Sequence, residues 1–358
     1  MAFLSSSTTA TDVLLDRLLV HTNRPLPESV MREMMQGHSG LVLSGRAVGG
    51  QHDELFDAWP GLVVMEDPGA YLHERATPDE PYEGGADGLR RWIDSRREYV
   101  AAVLTPTRFI NAQDGDSLKA AIRFANAIDD ARIVVEVPVG TSWLRGGSGR
   151  QLAGVLSWSR HPTMLIVAHD TDPFETKGVL EDFRALSESA TSMMLGRTDL
   201  AGLDLVARGG LAASVGLTAT LRHGLSPDKR GFKIDPRDVR SAVLVGSLLH
   251  YFRDVRLKEV YANLQAPVCR CVICKGRQLD RFSADPTSRH EAEHHNLAVV
   301  LRLHDELSRI GHLRERRDAW RQEIRDAVGR HAMLSVESGV KIRPPTALDG
   351  WATAHEDD

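Results

Sequence analysis

All three cysteines of this 358-residue chain fall in one short run, Cys269-Arg270-Cys271-Val272-Ile273-Cys274. Thiolates at this spacing can converge on a single soft, tetrahedral cation, and Zn²⁺ takes three sulfurs and an imidazole in this way. A disulfide fits poorly, because an odd count leaves one thiol over and the chain is expected to lack a secretory signal. Candidate imidazoles follow at His290, His294, His295, His304 and His312. Leu297, Val300, Leu301, Leu303, Leu307 and Ile310 approximate a helical apolar stripe, which predicts a helix starting near His295. A ligand on its first turn would face back onto the cysteine loop. His304, more than two turns on, is expected to be an ordinary polar residue of the helix face. Four protein ligands would close the coordination sphere, so the ion, one per chain, is expected to be structural and not to activate water.

The elements that must carry such a loop follow from the pattern upstream. Short apolar runs stand at Leu41–Leu43, Leu62–Met65, Tyr99–Leu104, Ile133–Val137, Met164–Ala168, Ser192–Leu195 and Leu211–Leu217. Helix-like stretches lie between them at Gly88–Arg97, Ser117–Ile128, Ser148–Trp158, Glu175–Glu188 and Leu200–Arg208. Strand, polar loop and helix repeated many times predict an α/β fold with a parallel sheet, and the repeat number suits a (β/α)₈ barrel. An open doubly wound sheet is the alternative, but no Gly-rich dinucleotide or P-loop fingerprint supports it. A polar, basic loop is expected over Ser226–Asp238, a helix over Val239–Phe252 and a charged helix over Leu313–Arg330. A loose tail is expected over 341–358. The expected division is barrel 1–255, zinc-binding subdomain 256–312, closing helix 313–340 and tail.

The cysteine run, followed by His295-Asn296-Leu297 and Leu301-Arg302-Leu303, resembles the zinc subdomain of the tRNA-guanine transglycosylases. The resemblance implies that Cys269, Cys271, Cys274 and His295 are the zinc ligands, and favours His295 over His294 because Asn296-Leu297 follows it. Glu66-Asp67-Pro68-Gly69-Ala70-Tyr71 is similar to the family's Asp-Ser-Gly-Gly-Phe run, whose aspartate helps form the base pocket. Asp204–Gly209 and Arg222-His223-Gly224 look like the approach to and exit from its nucleophile strand. The likeness spans roughly residues 40 to 335. It implies base exchange on tRNA or DNA, with guanine replaced by a 7-deazaguanine-type base, and a homodimer or partner subunit as a possible assembly.

Three departures set limits on that implication. Between Gly209 and Arg222 no aspartate occurs; Ser214 aligns with the nucleophile, and an unassisted serine attacks poorly at neutral pH. The glutamine strand aligns with Val135–Gly140, which offers Glu136. The Gly-Gly-Leu base-binding turn aligns with Ala168-His169-Asp170. Displacing a purine needs a carboxylate at the sugar carbon and an acid/base group for the departing base. Asp67 and Asp170, each just after an apolar run, are the catalytic candidates. Gly69, Tyr71, His169 and Ser214 are expected to line the substrate site. As isolated residues, both aspartates read equally well as helix caps or turn residues.

Composition sets the remaining expectations. A net charge of −5 and 26% charged residues exclude binding of polyanions by bulk charge and leave room for a local basic edge. Arg270, Lys275, Arg277 and Arg281 around the metal loop, with Arg314, Arg316 and Arg317 beyond, are expected to form it. No long apolar stretch predicts a membrane span, and a cytoplasmic protein is expected. A non-catalytic zinc-containing paralogue, holding nucleic acid or an active partner subunit, is the competing expectation.

Overall fold

The computed structural model describes residues 9–45, 48, 53–96, 102–190, 192–228 and 240–353. Two compact units divide the chain: Met1–Pro25 with His38–Phe232, and Leu26–Gly37 with Lys233–Asp358. The boundary thus falls at Phe232/Lys233, ahead of the expected 255, and the second unit takes in an early helix.

The first unit is a (β/α)₈ barrel. Its strands are β1 (Arg17–Thr22), β2 (Gly40–Ser44), β3 (Val63–Asp67), β4 (Val103–Leu104), β5 (Ile133–Gly140), β6 (Thr163–Ala168), β7 (Met193–Thr198) and β8 (Ala212–Gly216). They are hydrogen-bonded in the order β3-β2-β1-β8-β7-β6-β5-β4, all parallel. The β1–β8 ladder joins the first strand to the last, as barrel closure requires. Strands buried on both faces read as near-continuous apolar runs, which is why most were visible in the sequence. β1 was not expected: Arg17 and His21 interrupt its run.

The helices are α1 (Ala10–Leu14), α2 (Glu28–Gln36), α3 (Asp53–Ala58), α4 (Gly85–Ser95), α5 (Gly115–Asn126), α6 (Ser148–Leu156), α7 (Val179–Ser189) and α8 (Leu200–Ala207). Of these α2 belongs to the second unit. Local chemistry starts several of them. Thr9 and Asp12 form a capping box on α1, and Asp114 caps α5 through the Ser117 N–H at 3.0 Å. Inside the barrel, Leu19, Met65, Val134 and Met194 share one buried cluster with Met164, Ile166 and Ala212.

The second unit adds β9 (Ala242–Val245), β10 (His250–Arg253), α9 (Asp254–Val260), β11 (Val268–Cys269), β12 (Arg277–Gln278), α10 (Pro286–Ser308), α11 (Leu313–Ser338) and α12 (Thr346–Thr353). The helix expected over Val239–Phe252 is instead an antiparallel β9–β10 pair. Leu244, Leu248, Leu249 and Phe252 fall at helix-like spacing, yet a tight 3₁₀ turn at Gly246–Leu248 and Leu249 in the left-handed region (φ 47°) fold the run back on itself. α10 starts at Pro286, capped by Asp285 through the Ser288 N–H at 2.8 Å, so His295 lies mid-helix and not on the first turn. His304 is buried, against the expected exposed face, and contacts Ser308 Oγ at 3.2 Å. The expected loose tail contains α12, which buries Ala347, Leu348 and Trp351. The basic loop expected over Ser226–Asp238 lies outside the described residues from 229 on, as do 99–101 of the apolar run Tyr99–Leu104. No helix among the described residues is long and apolar enough to cross a membrane.

Candidate functional site

The odd-numbered strands place one ionisable side chain each in the same interior layer: His21 on β1, Asp67 on β3, Glu136 on β5 and Arg197 on β7. Barrel interiors are filled by layers of four side chains from alternate strands, ordinarily bulky and apolar. The layer formed by Leu19, Met65, Val134 and Met194 on the same strands follows that rule. The layer above it does not. Its three acid/base members, His21, Asp67 and Glu136, are fully buried, and Arg197 is 6% exposed.

Asp67, the last residue of β3, is the hub. Its Oδ2 accepts from Tyr71 Oη at 2.8 Å and Arg197 Nε at 3.2 Å, and its Oδ1 accepts from the Gly69 N–H at 2.7 Å. His21 Nε2 lies 3.1 Å from the same Oδ2, off hydrogen-bond alignment. Gly69 can turn back in this way because it adopts φ 67°, which disfavours any other residue. Burial pushes the Asp67 carboxyl up, but the Arg197 guanidinium, His21 and Tyr71 outweigh it and hold it well below the usual carboxylate range. Its neighbour Glu66 points the other way and pairs with Arg96.

Arg197 reaches the interior by a backbone device. β7 pairs with β8 in register up to Leu195, shifts, and resumes at Thr198. Strict alternation from the inward Met194 would turn residue 197 outward. The bulge, with Arg197 at φ 47°, re-aims the side chain inward. Its N–H donates to Ser214 Oγ at 3.1 Å, and Ser214 Oγ lies 3.5 Å from His21 Nδ1. Gly196 leaves room at the bulge: a Cβ there would stand 2.7 Å from Met164 Sδ.

Glu136 differs from the others. It is fully buried, no N–H or hydroxyl donor among the described residues reaches its carboxyl oxygens, and the side chain that engages it is the Asp67 carboxylate, to which a protonated Glu136 can donate. Burial, and then the neighbouring Asp67 charge, push its pKa well above the carboxylate range, so it holds a proton where Asp67 does not. Burial likewise lowers His21, leaving it neutral. The layer therefore contains an ion pair, Asp67–Arg197, beside a neutral acid and a neutral imidazole. Two carboxyls pushed apart in this way are the usual arrangement for separate acid and base roles.

Of the residues expected at this site, Asp67, Gly69, Tyr71 and Ser214 come together, although Tyr71 and Gly69 serve Asp67 instead of lining open space. Asp170 is not among the Asp67 partners. It lies two residues beyond β6, half-buried, and its charge acts on His223. His169 Nδ1 contacts Thr171, and the His169 N–H donates to the Gly224 carbonyl at 3.0 Å. Glu136 was visible only as the residue aligned with a glutamine strand; His21 and Arg197 were not anticipated.

A candidate metal centre lies in the second unit. Cys269 ends β11, Cys271 and Cys274 occupy the turn to β12, and His295 comes from α10. The four ligand atoms lie within 4.8 Å of one another, and all four residues are buried. His295 Nδ1 stands 3.6, 3.5 and 3.3 Å from Sγ of Cys269, Cys271 and Cys274. A tetrahedral zinc with Zn–S of about 2.3 Å and Zn–N of about 2.05 Å has S···N edges of about 3.6 Å. The set therefore fits Zn²⁺, or a cation of similar size, as a closed four-ligand site.

The surroundings are built for it. His295 Nε2 donates to the Leu244 carbonyl at 3.0 Å, which leaves the Nδ1 lone pair toward the sulfurs. Asn296 completes the clamp: its Oδ1 accepts from the Leu244 N–H at 2.6 Å and its Nδ2 donates to the Ala242 carbonyl at 2.7 Å. Lys275 (φ 52°) and Gly276 (φ 86°) close the cysteine turn in the left-handed region. Arg281 Nη2 donates to Cys274 Sγ at 3.2 Å. Arg281 and Arg277 both pair with Glu291, at 3.1 and 2.5 Å. Arg316 is buried. Arg270 and Lys275 are exposed.

No family model matches the chain, and no curated protein matches it. Among solved structures, active domain 2 of a thermostable chitinase from Pyrococcus furiosus is 11% identical, with a TM-score of 0.34, over 59% of this chain and 89% of that one. The catalytic domain of a hyperthermophilic chitinase from the same organism is 10% identical, with a TM-score of 0.33, over 59% of this chain and 90% of that one. The resemblance to tRNA-guanine transglycosylases thus rests on the motifs alone.

Proposed function

We propose that the chain is a transglycosylase-like enzyme that exchanges a base on nucleic acid, tRNA or DNA, replacing guanine with a 7-deazaguanine-type base. The observation that supports this most is the ionisable interior layer, above all a buried, protonated Glu136 set against an ionised Asp67. Burying a second carboxyl against Asp67 disfavours its charged form and gives a scaffold nothing in return. In the proposed step the bond between the sugar carbon and the purine nitrogen breaks. Glu136 delivers its proton to the departing purine. A carboxylate at the mouth, Asp170, attacks or stabilises the oxocarbenium-like carbon. The incoming base then forms the new C–N bond, and its proton returns to Glu136. Asp67, already saturated with donors, holds Arg197 and Tyr71 in place. The zinc would be structural.

A second reading has its own support. Asp67 accepts bonds at both oxygens and is fully buried, and in the motif resemblance Ser214 aligns with the family's nucleophile. On that reading the chain is a zinc-containing paralogue that holds nucleic acid or an active partner subunit. Incubating the purified, zinc-loaded protein with labelled guanine and either tRNA or DNA separates the two. Label entering one of the nucleic acids supports exchange. No incorporation into either, by folded protein, leaves the non-catalytic reading.

A further inference from the structure

In the second unit a groove runs between β10 and the strip that follows α11. Arg253, Arg256, Lys341 and Arg343 line it together with Tyr251 and Phe252, and none of the groove's residues is acidic. The strip is held from beneath. Arg256 donates to the Lys341 carbonyl at 2.6 Å and to Glu259 at 2.6 Å, and the Ile342 N–H donates to Ser335 Oγ at 3.0 Å. Pro344 and Pro345 follow and restrict Arg343 to extended backbone.

The groove gathers exposed cations in a unit where several others are already neutralised. Arg277 and Arg281 pair with Glu291, Arg309 with Asp305 and Arg330 with Glu323. Arg253, Lys341 and Arg343 are exposed, and no carboxylate among the described residues stands within ion-pair distance of them. Unneutralised cations held together on a braced strip cost the fold through mutual repulsion, in a chain whose net charge is −5. A row of phosphates would relieve that repulsion and release counterions in doing so.

We propose that this groove binds the phosphodiester backbone of nucleic acid, with Arg253, Lys341 and Arg343 as the phosphate contacts; this rests on the nucleic-acid reading above. It moves the contact surface away from Arg277 and Arg281, which Glu291 and the metal loop already engage.

The test is fluorescence anisotropy of the full chain with a labelled tRNA and a labelled DNA duplex across a salt series, without any exchange reaction. Each lost phosphate contact flattens the slope of log affinity against log salt by about 0.9 for a duplex. The combined Arg253→Ala, Lys341→Ala and Arg343→Ala variant should lower that slope by about 2 to 3, with zinc content and circular dichroism unchanged. Arg270→Ala with Lys275→Ala should keep the wild-type slope. A wild-type slope in the triple variant, or flattening confined to the Arg270 and Lys275 pair, overturns the groove while leaving the exchange reading standing. Wild-type protein that takes up inorganic phosphate but neither nucleic acid makes the groove a small-anion site and also overturns it. Groove-dependent binding without base exchange sinks only the enzymatic reading.

Discussion

At the scale of single residues, the interior layer makes opposite demands on two neighbouring carboxyls. Asp67 is held ionised by Arg197, so Asp67→Asn leaves a buried guanidinium without its counter-charge. We expect a loss of about 3–5 kcal/mol in urea unfolding, the usual cost of breaking a buried pair from one side. Glu136 behaves in the reverse sense. Its pKa is raised in the folded state, so its contribution to stability is complete below the ordinary glutamate range and is lost as pH rises toward the folded value. Glu136→Gln keeps the shape and removes the titration. Its melting temperature should therefore gain on the wild type from about pH 5 to about pH 8. A constant difference across that range would mean that Glu136 is not held protonated. Neither His21 nor Arg197 could be found by pattern. His21 sits in a strand that also carries Arg17, and Arg197 faces inward only because a bulge breaks the alternation of β7.

At the scale of elements, the metal loop and α10 are joined to β9 through two consecutive side chains. His295 takes the Leu244 carbonyl, and Asn296 takes the Leu244 N–H and the Ala242 carbonyl, much as a neighbouring strand would. This gives a physical reason for the His-Asn pair in the sequence. Asn296→Ala leaves a buried N–H and a buried carbonyl unpaired. We expect it to destabilise by about 2 kcal/mol in urea unfolding, with zinc still bound. Asn296→Asp should restore the bond from Leu244 N–H but not the one to Ala242. The spacing of the cysteines identified the loop correctly, since three thiolates within six positions leave few geometries for a tetrahedral ion. The start of α10 was less visible. Its first turns are polar, Pro286-Thr287-Ser288-Arg289-His290, so the apolar stripe that marks a helix begins only at Ala292. β9 and β10 were misread for the converse reason, because their apolar residues fall by coincidence at helical spacing.

At the scale of the whole molecule, the barrel was legible because its strands are short apolar runs ended by polar loops, and because no fingerprint of an open sheet interrupts them. The Cys3His cluster that could hold a metal ion was legible in its four residues. The chemistry was legible only in part: Asp67, Tyr71 and Ser214 meet, Asp170 follows β6 and acts on His223, and the layer that unites four strands has no signature along the chain. Purified protein should contain close to one zinc per chain, and His295→Ala should lose it while His294→Ala should not. A closed four-ligand site forms only in the folded chain, so a chelator is expected to lower the melting temperature of the wild type and to leave that of the His295 variant unchanged. The most direct test of the proposed function is the rate of labelled guanine exchange by Glu136→Gln against wild type, with zinc content and melting temperature measured on the same samples. A general acid contributes typically 10²–10⁴-fold, so the variant should fall by about 100-fold or more with its fold and metal intact. Wild-type exchange by Glu136→Gln would contradict the assignment of the interior layer as the seat of the chemistry.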